Sequence, residues 1–255
     1  MTETHTPTQR RGRVVLVSGT GTEIGKTVVT AALAAAAHAA GRSVAVVKPA
    51  QTGMAPGEHG DVAEVARLAG AELTAVESAR YPEPLAPDTA ARRAGLPTVH
   101  PQEVAETVRD LAETHDLVLV EGAGGLLVRF DAAGHTLADL ARALDAPVLT
   151  VAQAGLGTLN ATALTAEALA ARGIDSLGVV VGSWPTDPDL ATRCNLTDLP
   201  TAANAPLLGA IPTGAGTLPP HTFRTQAPTW LAPRLGGTWS AETFTTHWSP
   251  EPYAG

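Results

Sequence analysis

Residues 14–27 read Val-Val-Leu-Val-Ser-Gly-Thr-Gly-Thr-Glu-Ile-Gly-Lys-Thr. The four apolar residues predict a buried strand, and the closing Gly-Lys-Thr predicts the start of a helix. Between them, glycines let backbone N–H groups turn inward toward an anion, beside the positive N-terminal end of the helix. This pattern is typical of a phosphate-binding loop, in which Lys26 reaches the β- and γ-phosphates and the Thr27 hydroxyl ligates Mg²⁺.

The spacing of this loop differs from the common Gly-x₄-Gly-Lys-Ser/Thr pattern. That pattern needs glycine at position 20, where the chain has Thr20, and five residues separate Gly19 from Gly25. A short Gly/Thr loop can be merely structural, but Gly-Lys-Thr at a strand-to-helix junction favours a nucleotide. The longer loop therefore indicates a subset of the nucleotide-binding proteins.

Composition limits the class of protein. With 255 residues, 44% apolar and 16% charged, the chain can bury the core of one α/β domain. The 17 basic and 25 acidic residues give a net charge of −8, which disfavours a nucleic-acid partner. The single Cys194 excludes internal disulfides and multi-cysteine metal sites, and it favours the cytoplasm. The polar residues 1–12 lack an apolar core, so we expect neither a signal peptide nor a membrane anchor.

The order of apolar runs predicts the domain organisation. Strand and helix patterns alternate without an internal repeat, which predicts one domain with a mostly parallel sheet and helices on both faces. We expect a disordered tail over 1–12, a phosphate-binding-loop domain over 13–235 and a mobile tail over 236–255. The composition changes before the last region: three of the four tryptophans, Trp230, Trp239 and Trp248, lie near the end of the sequence.

Two strand ends carry charged residues. The apolar run at 43–49 predicts a buried parallel strand that ends in Lys48, at the edge where open α/β sheets bind ligands. A second buried strand ends in Glu121, followed by a glycine-rich turn. A buried carboxylate is costly without a cation, and Mg²⁺ held between Glu121 and Thr27 would supply one. Alternatively, Glu121 pairs with a lysine or caps a helix.

Two helix starts are candidates for binding roles. Asp61 opens a helical pattern, where an aspartate is often only a cap. Residues 155–160 form a turn that opens a long helix after another strand. An anionic substrate group can bind at such a turn, and an ordinary capped connection explains it equally well.

Together these strand ends resemble those of the dethiobiotin synthetases. The resemblance runs from about Val14 to Pro212, and it rests on the loop at 19–27, on Val-Lys-Pro-Ala-Gln-Thr-Gly at 47–53, on Val-Glu-Gly-Ala-Gly-Gly at 120–125 and on Gly-Ala-Ile-Pro at 209–212. The lengthened loop combined with a Lys-Pro strand end and a hydroxyl four residues later is not a general pattern of phosphate-binding loops.

The resemblance implies an enzyme that makes dethiobiotin from 7,8-diaminopelargonate, CO₂ and ATP or another nucleoside triphosphate, with Mg²⁺, as a homodimer. It implies catalytic roles for Lys26 and Lys48 and metal ligation by Thr27, Asp61 and Glu121. The implied nucleotide contacts are Glu23, Ile24, Gly25, Lys26, Thr27, Val28, Asp61, Glu121, Gly122, Ala123, Gly124, Gly182, Ser183, Ile211, Pro212 and Thr213. The implied substrate contacts are Thr22, Lys48, Thr52, Thr158, Leu159 and Asn160, the last three across a subunit interface.

One departure from the family concerns the nucleotide base. The family often has Asn-Asp where this chain has Gly182-Ser183, and that asparagine reads the adenine edge. Thr213 also replaces a larger residue beside the base. We therefore expect weak discrimination among the four triphosphates, and a shift toward ATP in Gly182→Asn.

Two other classes share a related loop. Amide synthetases that act on corrin side chains carry a glutaminase domain with a nucleophilic cysteine, which one Cys194 in a chain of this length does not match. Partitioning-type ATPases place an extra lysine near the start of the loop, where this chain has Gly19-Thr20-Gly21. The sequence therefore favours the synthetase.

Overall fold

A seven-stranded parallel sheet organises the chain, with the strand order β4-β2-β6-β1-β7-β8-β9. The computed structural model describes residues 12–70 and 72–250. Its strands are β1 Arg13–Gly19, β2 Val44–Lys48, β3 Gln51–Thr52, β4 Thr74–Glu77, β5 Arg80–Tyr81, β6 Leu117–Gly125, β7 Val148–Ala152, β8 Ser176–Trp184 and β9 Leu207–Pro212. Its α-helices are α1 Lys26–Ala39, α2 Asp61–Ala69, α3 Pro87–Ala94, α4 Pro101–Thr114, α5 Leu137–Leu144, α6 Thr158–Ala170, α7 Leu190–Ala203, α8 Pro220–Gln226 and α9 Ala241–Trp248.

Helices cover both faces of this sheet, as the alternating pattern predicts. Successive residues of β1 point to opposite faces, so Val17 joins one apolar core and Leu16 joins the other. The first core packs α1, α2 and α7 against the sheet, and the second packs α3, α4 and α5. Burial on both faces explains why the central strands are continuous apolar runs.

Strand order brings the predicted strand ends together. β6 lies between β1 and β2, with Val17 of β1 opposite Glu121 and Val47 of β2 opposite Val120. All three strands are parallel, so the turn after β1, Lys48 at the end of β2 and Glu121 of β6 share one edge of the sheet. The short two-stranded sheet of β3 and β5 follows this edge and carries Thr52.

The C-terminal region differs from the predicted mobile tail. The sequence analysis assigns 236–255 to that tail, but the structure folds Ala241–Trp248 into α9, capped by Ser240, whose Oγ accepts a hydrogen bond from the Thr243 N–H. Phe244 and Trp248 pack on Trp184 at ring-centroid separations of 5.1 and 5.8 Å. Polar composition hid this helix, because its packing depends on Trp184, an aromatic residue sixty positions before Phe244. The predicted tail over 1–12, apart from Gly12, and the final five residues lie outside the described residues.

Helix length and hydropathy also bear on membrane association. Among the helices of 12–70 and 72–250, none is long and apolar enough to cross a membrane.

Candidate active site

The loop between β1 and α1 forms a phosphate-sized turn of backbone. Gly25 lies immediately before α1 at φ 92°, a left-handed conformation that glycine adopts without strain. Glu23 is also left-handed at φ 57°, so two of three successive residues of the loop have this conformation. The Lys26 ammonium folds back over the loop and donates to the Gly21 carbonyl at 3.0 Å. The loop therefore presents N–H groups, a helix start and one lysine to the same space.

A buried ion cluster lies beside this loop. The Lys48 ammonium is 2.5 Å from Asp61 Oδ2 and 2.9 Å from Glu121 Oε1. The Thr27 hydroxyl donates to the same Glu121 oxygen at 2.9 Å. The three residues predicted to ligate metal thus converge, and the alternative in which Glu121 pairs with a lysine is also realised. Asp61 is not a helix cap, since Gly60 occupies the cap position without a side-chain bond.

Gln51 is a site residue that the sequence analysis missed. Its side chain is buried, and its Oε1 accepts a hydrogen bond from the Asp61 backbone N–H at 2.8 Å. This bond fixes the first residue of α2 and so directs the Asp61 carboxylate toward Lys48. Its position in the motif at 47–53 was the available signal, but a neutral glutamine carries no charge that would mark it.

Burial and charge shift the pKa values of both lysines. Burial alone would lower the pKa of Lys48, but the adjacent Glu121 and Asp61 carboxylates outweigh it and raise the pKa. Burial and, after it, the positive charge of Lys48 lower the pKa of Lys26. Lys48 is therefore held firmly in its charged form.

Backbone packing explains the glycine at position 182. A Cβ built on Gly182 would lie 1.9 Å from the Ile24 carbonyl oxygen, and one on Gly25 would lie 2.3 Å from the Gly182 oxygen. The loop and β8 are thus in direct backbone contact. Any side chain at 182 displaces the loop, so Gly182→Asn cannot simply add a base-reading amide. This corrects the expectation that the variant would shift preference toward ATP.

The neighbouring strand ends of β8 and β9 are joined by side chains. Ser183 Oγ lies 2.8 Å from Thr213 Oγ1, and the Thr213 N–H donates to the Trp184 carbonyl at 2.7 Å. Both hydroxyls are exposed, whereas Ile211 is buried.

The predicted substrate contacts are less closely grouped. Thr22 lies near Gly124, within 3.6 Å of where a Cβ on that glycine would be. Thr158 is buried and its hydroxyl donates to the Gln153 carbonyl at 2.7 Å, so it holds its own turn together. Leu159 packs against the core and Asn160 is exposed. Asn160 is thus the member of this turn whose side chain is open to a ligand.

Three comparisons with known proteins place the chain. The family model described as AAA domain matches residues 13–220. The ATP-dependent dethiobiotin synthetase BioD of Streptomyces avermitilis is 69% identical over 237 residues, covering 93% of this chain and 99% of the relative. The enzyme of the same name from Saccharopolyspora erythraea is 68% identical, covering 89% and 99%, and that from Rhodococcus jostii is 60% identical, covering 91% and 98%.

Solved structures share the fold at low sequence identity. A ParA family ATPase from Chlorobium tepidum superposes with a TM-score of 0.56 at 15% identity, covering 94% of this chain and 98% of that one. The septum site-determining protein MinD of Pyrococcus horikoshii gives 0.53 at 18% identity, covering 93% and 94%. These likenesses extend to the fold alone, whereas near full-length identity of 60–69% extends to the family: the chain belongs to the ATP-dependent dethiobiotin synthetases.

Proposed function

We propose that this protein makes dethiobiotin from 7,8-diaminopelargonate, CO₂ and ATP, in the biosynthesis of biotin. The observation that carries the proposal is the buried Lys48 ammonium at the strand edge next to a phosphate-binding loop, in a chain 69% identical to a named synthetase. The alternatives, a corrin amide synthetase or a partitioning ATPase switch, gain no comparable support, because the likeness to partitioning ATPases is one of fold only.

The chemistry requires charge neutralisation more than proton transfer. One amine of the substrate attacks CO₂ and loses a proton, which forms a carbamate. The carbamate oxygen then attacks the γ-phosphorus of ATP, and the bond to the bridging oxygen breaks to release ADP. The second amine attacks the carbonyl carbon of the mixed anhydride, closes the cyclic urea and expels phosphate. Two anions meet in the phosphoryl transfer, so nearby cations lower the barrier.

Two lysines supply fixed positive charge for these steps. Lys26 begins α1 and reaches over the loop, where it is placed to contact the β- and γ-phosphates. Lys48 lies at the end of β2, the strand that pairs with β6 and its Glu121. We assign it to hold the carbamate and the transferring phosphoryl group. Thr22 and Thr52 lie on the segments that follow β1 and β2, and we assign them to the substrate amines and carbamate.

The donor set at the site fits Mg²⁺. Thr27, Asp61 and Glu121 offer the hydroxyl and carboxylate oxygens that this ion prefers. Glu121 Oε2 is buried, and it has no hydrogen-bond partner within the described part of the chain, so one ligand lone pair is available. The bound ion would neutralise phosphate charge. No group of three His, Cys, Asp or Glu side chains suited to a metal occurs in 12–70 and 72–250, so phosphate oxygens would complete the shell.

We propose a homodimer that closes over the mouth of the site. Leu127 and Leu156 follow the carboxyl ends of β6 and β7, and Leu164 lies on α6; they are 45, 84 and 58% exposed. Large apolar side chains this exposed, near one sheet edge, favour a protein partner. Such a partner would place a helix start like that at Thr158, Leu159 and Asn160 over the substrate carboxylate. Leu156→Asp should yield monomers in light scattering, while an unchanged dimer would exclude this face.

The nucleotide base would lie between the ends of β8 and β9, beside Ser183 and Pro212-Thr213.

Bicarbonate supplies the CO₂. The cytoplasm is the compartment we assign, because the half-buried free thiol of Cys194 and the use of ATP both suit it.

A product assay tests the proposed function. Purified protein incubated with diaminopelargonate, ¹³C-bicarbonate, Mg²⁺ and ATP should yield a cyclic urea that carries one ¹³C by mass analysis. Phosphate release should require diaminopelargonate. Release that proceeds equally without diaminopelargonate, and with no labelled urea, would instead favour an ATPase switch.

A further inference from the structure

The contacts of Lys48 saturate its ammonium group. Besides the Asp61 and Glu121 carboxylates, it donates to the Gly122 carbonyl at 3.2 Å. An ammonium has three hydrogens, and the structure provides three acceptors for them. Its side chain is 4% exposed, so water does not compete for these contacts. Lys48 is thus fully committed to the site walls.

The same two carboxylates are two of the three metal ligands assigned under the proposed function. A divalent cation near them would lie close to the buried Lys48 charge, which repels it. Mg²⁺ also loses its bound water reluctantly, so its protein ligands must bind it strongly enough to offset the cost of dehydration. Glu121 Oε2 has no hydrogen-bond partner within the described residues, so the Lys48 ammonium opposes a metal ion there through its charge and not by occupying that oxygen.

We propose that Lys48 is the resident counterion of Asp61 and Glu121, and that it excludes a free divalent cation until nucleotide phosphates arrive with one. The inference rests on the metal ligands in the proposed function. Lys26 and Lys48 balance the two carboxylates, so a divalent ion alone would leave the buried site with excess positive charge. A metal–triphosphate complex carries net negative charge, so its binding adds no positive charge to the site.

This exchange has a consequence for the order of events. If the two carboxylates turned to the cation of a metal–nucleotide complex, the Lys48 ammonium would lose its two anionic acceptors. It then needs new acceptors, and the carbamate and γ-phosphoryl oxygens are anions within its reach at the same edge. Loading of the nucleotide therefore releases the lysine that the transfer requires, and the site remains inert toward free metal.

Binding of Mn²⁺ without nucleotide tests the exchange, with free Mn²⁺ measured by electron paramagnetic resonance. Lys48→Met removes the ammonium and approximately keeps the length of the side chain. This variant should bind Mn²⁺ at least about thirtyfold more tightly than wild type, because a full positive charge near the metal is lost. Lys48→Arg should behave as wild type. Lys26→Met, which removes a charge that touches neither carboxylate, should gain less than about threefold.

Thermal unfolding gives a second readout. Lys48→Met should melt below wild type in metal-free buffer, because two carboxylates lose their cation, and Mn²⁺ should restore it. Wild type should respond to Mn²⁺ only together with a non-hydrolysable ATP analogue. If Lys48→Met does not fold, Lys48→Gln takes its place. Affinities of wild type and the neutral variant within about threefold of each other would overturn the proposal.

A further variant separates this proposal from the proposed function. Glu121→Gln should lose Mn²⁺ from the complex with the ATP analogue if Glu121 is a metal ligand. If Glu121→Gln loses Mn²⁺ and Lys48→Met binds Mn²⁺ no more tightly than wild type, the assignment of the metal ligands is retained and the counterion role of Lys48 is refuted. Retention in Glu121→Gln would refute the metal ligands themselves.

Discussion

Gly182→Ala should damage nucleotide binding by displacing the phosphate-binding loop. The added methyl carbon would lie 1.9 Å from the Ile24 carbonyl oxygen and 2.6 Å from Val151 Cγ1. The Val151 methyl can rotate away, but the Ile24 oxygen belongs to the backbone of the loop. The backbones are also close from the other side, since a Cβ on Gly25 would lie 2.3 Å from the Gly182 carbonyl oxygen. The variant cannot relieve the contact without separating the loop from β8.

The size of this displacement follows from the contact distance. Ordinary contact begins at about 3.4 Å, so the two backbones must separate by roughly 1.5 Å. Overpacking of this kind costs about 1–3 kcal/mol of stability. A displacement of about 1 Å in a positioning element can cost about a hundredfold in rate. We therefore expect kcat/KM for ATP to fall by about a hundredfold, with a decrease in melting temperature of roughly 2–12 °C for a chain of this size.

Steady-state kinetics and thermal unfolding measure both effects. Gly155→Ala is the matched control, because a Cβ there meets only Thr192 Oγ1, at 3.9 Å. The loss should be similar for all four nucleoside triphosphates, since the proposed contacts of the loop are with phosphates and not with the base. Wild-type kcat/KM and melting temperature in Gly182→Ala would refute the argument from backbone contact.

Four further results are expected. Lys48→Ala should lower turnover by about a hundredfold or more with an unchanged circular-dichroism spectrum, and near-normal turnover would remove its catalytic role. CTP, GTP and UTP should support kcat/KM within about tenfold of ATP, or ~1.4 kcal/mol, whereas a thousandfold preference for ATP would show that backbone groups read the base. The hydrogen bond that His135 Nδ1 donates to the Asp131 carboxylate raises the pKa of His135 above 6.5. This pair therefore stabilises the fold below pH 6.5, and the gain is lost as pH rises through the raised value. The free energies of urea unfolding of wild type and His135→Gln should differ at pH 6 and converge at pH 9. Phe244→Ala should lower the free energy of unfolding in urea by about 1–3 kcal/mol, whereas Thr246→Ala, at an exposed position of the same helix, should lower it by less than about 0.5 kcal/mol. Equal effects would mean that α9 is not packed.

Local pattern was enough to determine the class of fold and the chemistry of the loop. Strands buried on both faces must be apolar throughout, and a loop that binds phosphate needs glycines and a lysine at a helix start, so both leave short-range signals in 14–27. The charges that close two apolar runs, Lys48 and Glu121, were likewise visible, because a buried charge is costly unless it has a role, although β6 itself continues past Glu121 to Gly125.

Tertiary structure alone decided which of these groups meet. The sequence does not contain the strand order that places β6 between β1 and β2, and so it left open whether Glu121 faces a metal site or a lysine; the structure joins it to Lys48 and Thr27. Nor does it show that Gly182 contacts the Ile24 backbone, or that α9 packs on Trp184. These contacts join residues 60 to 158 positions apart, and their energies depend on distances that only the folded chain defines.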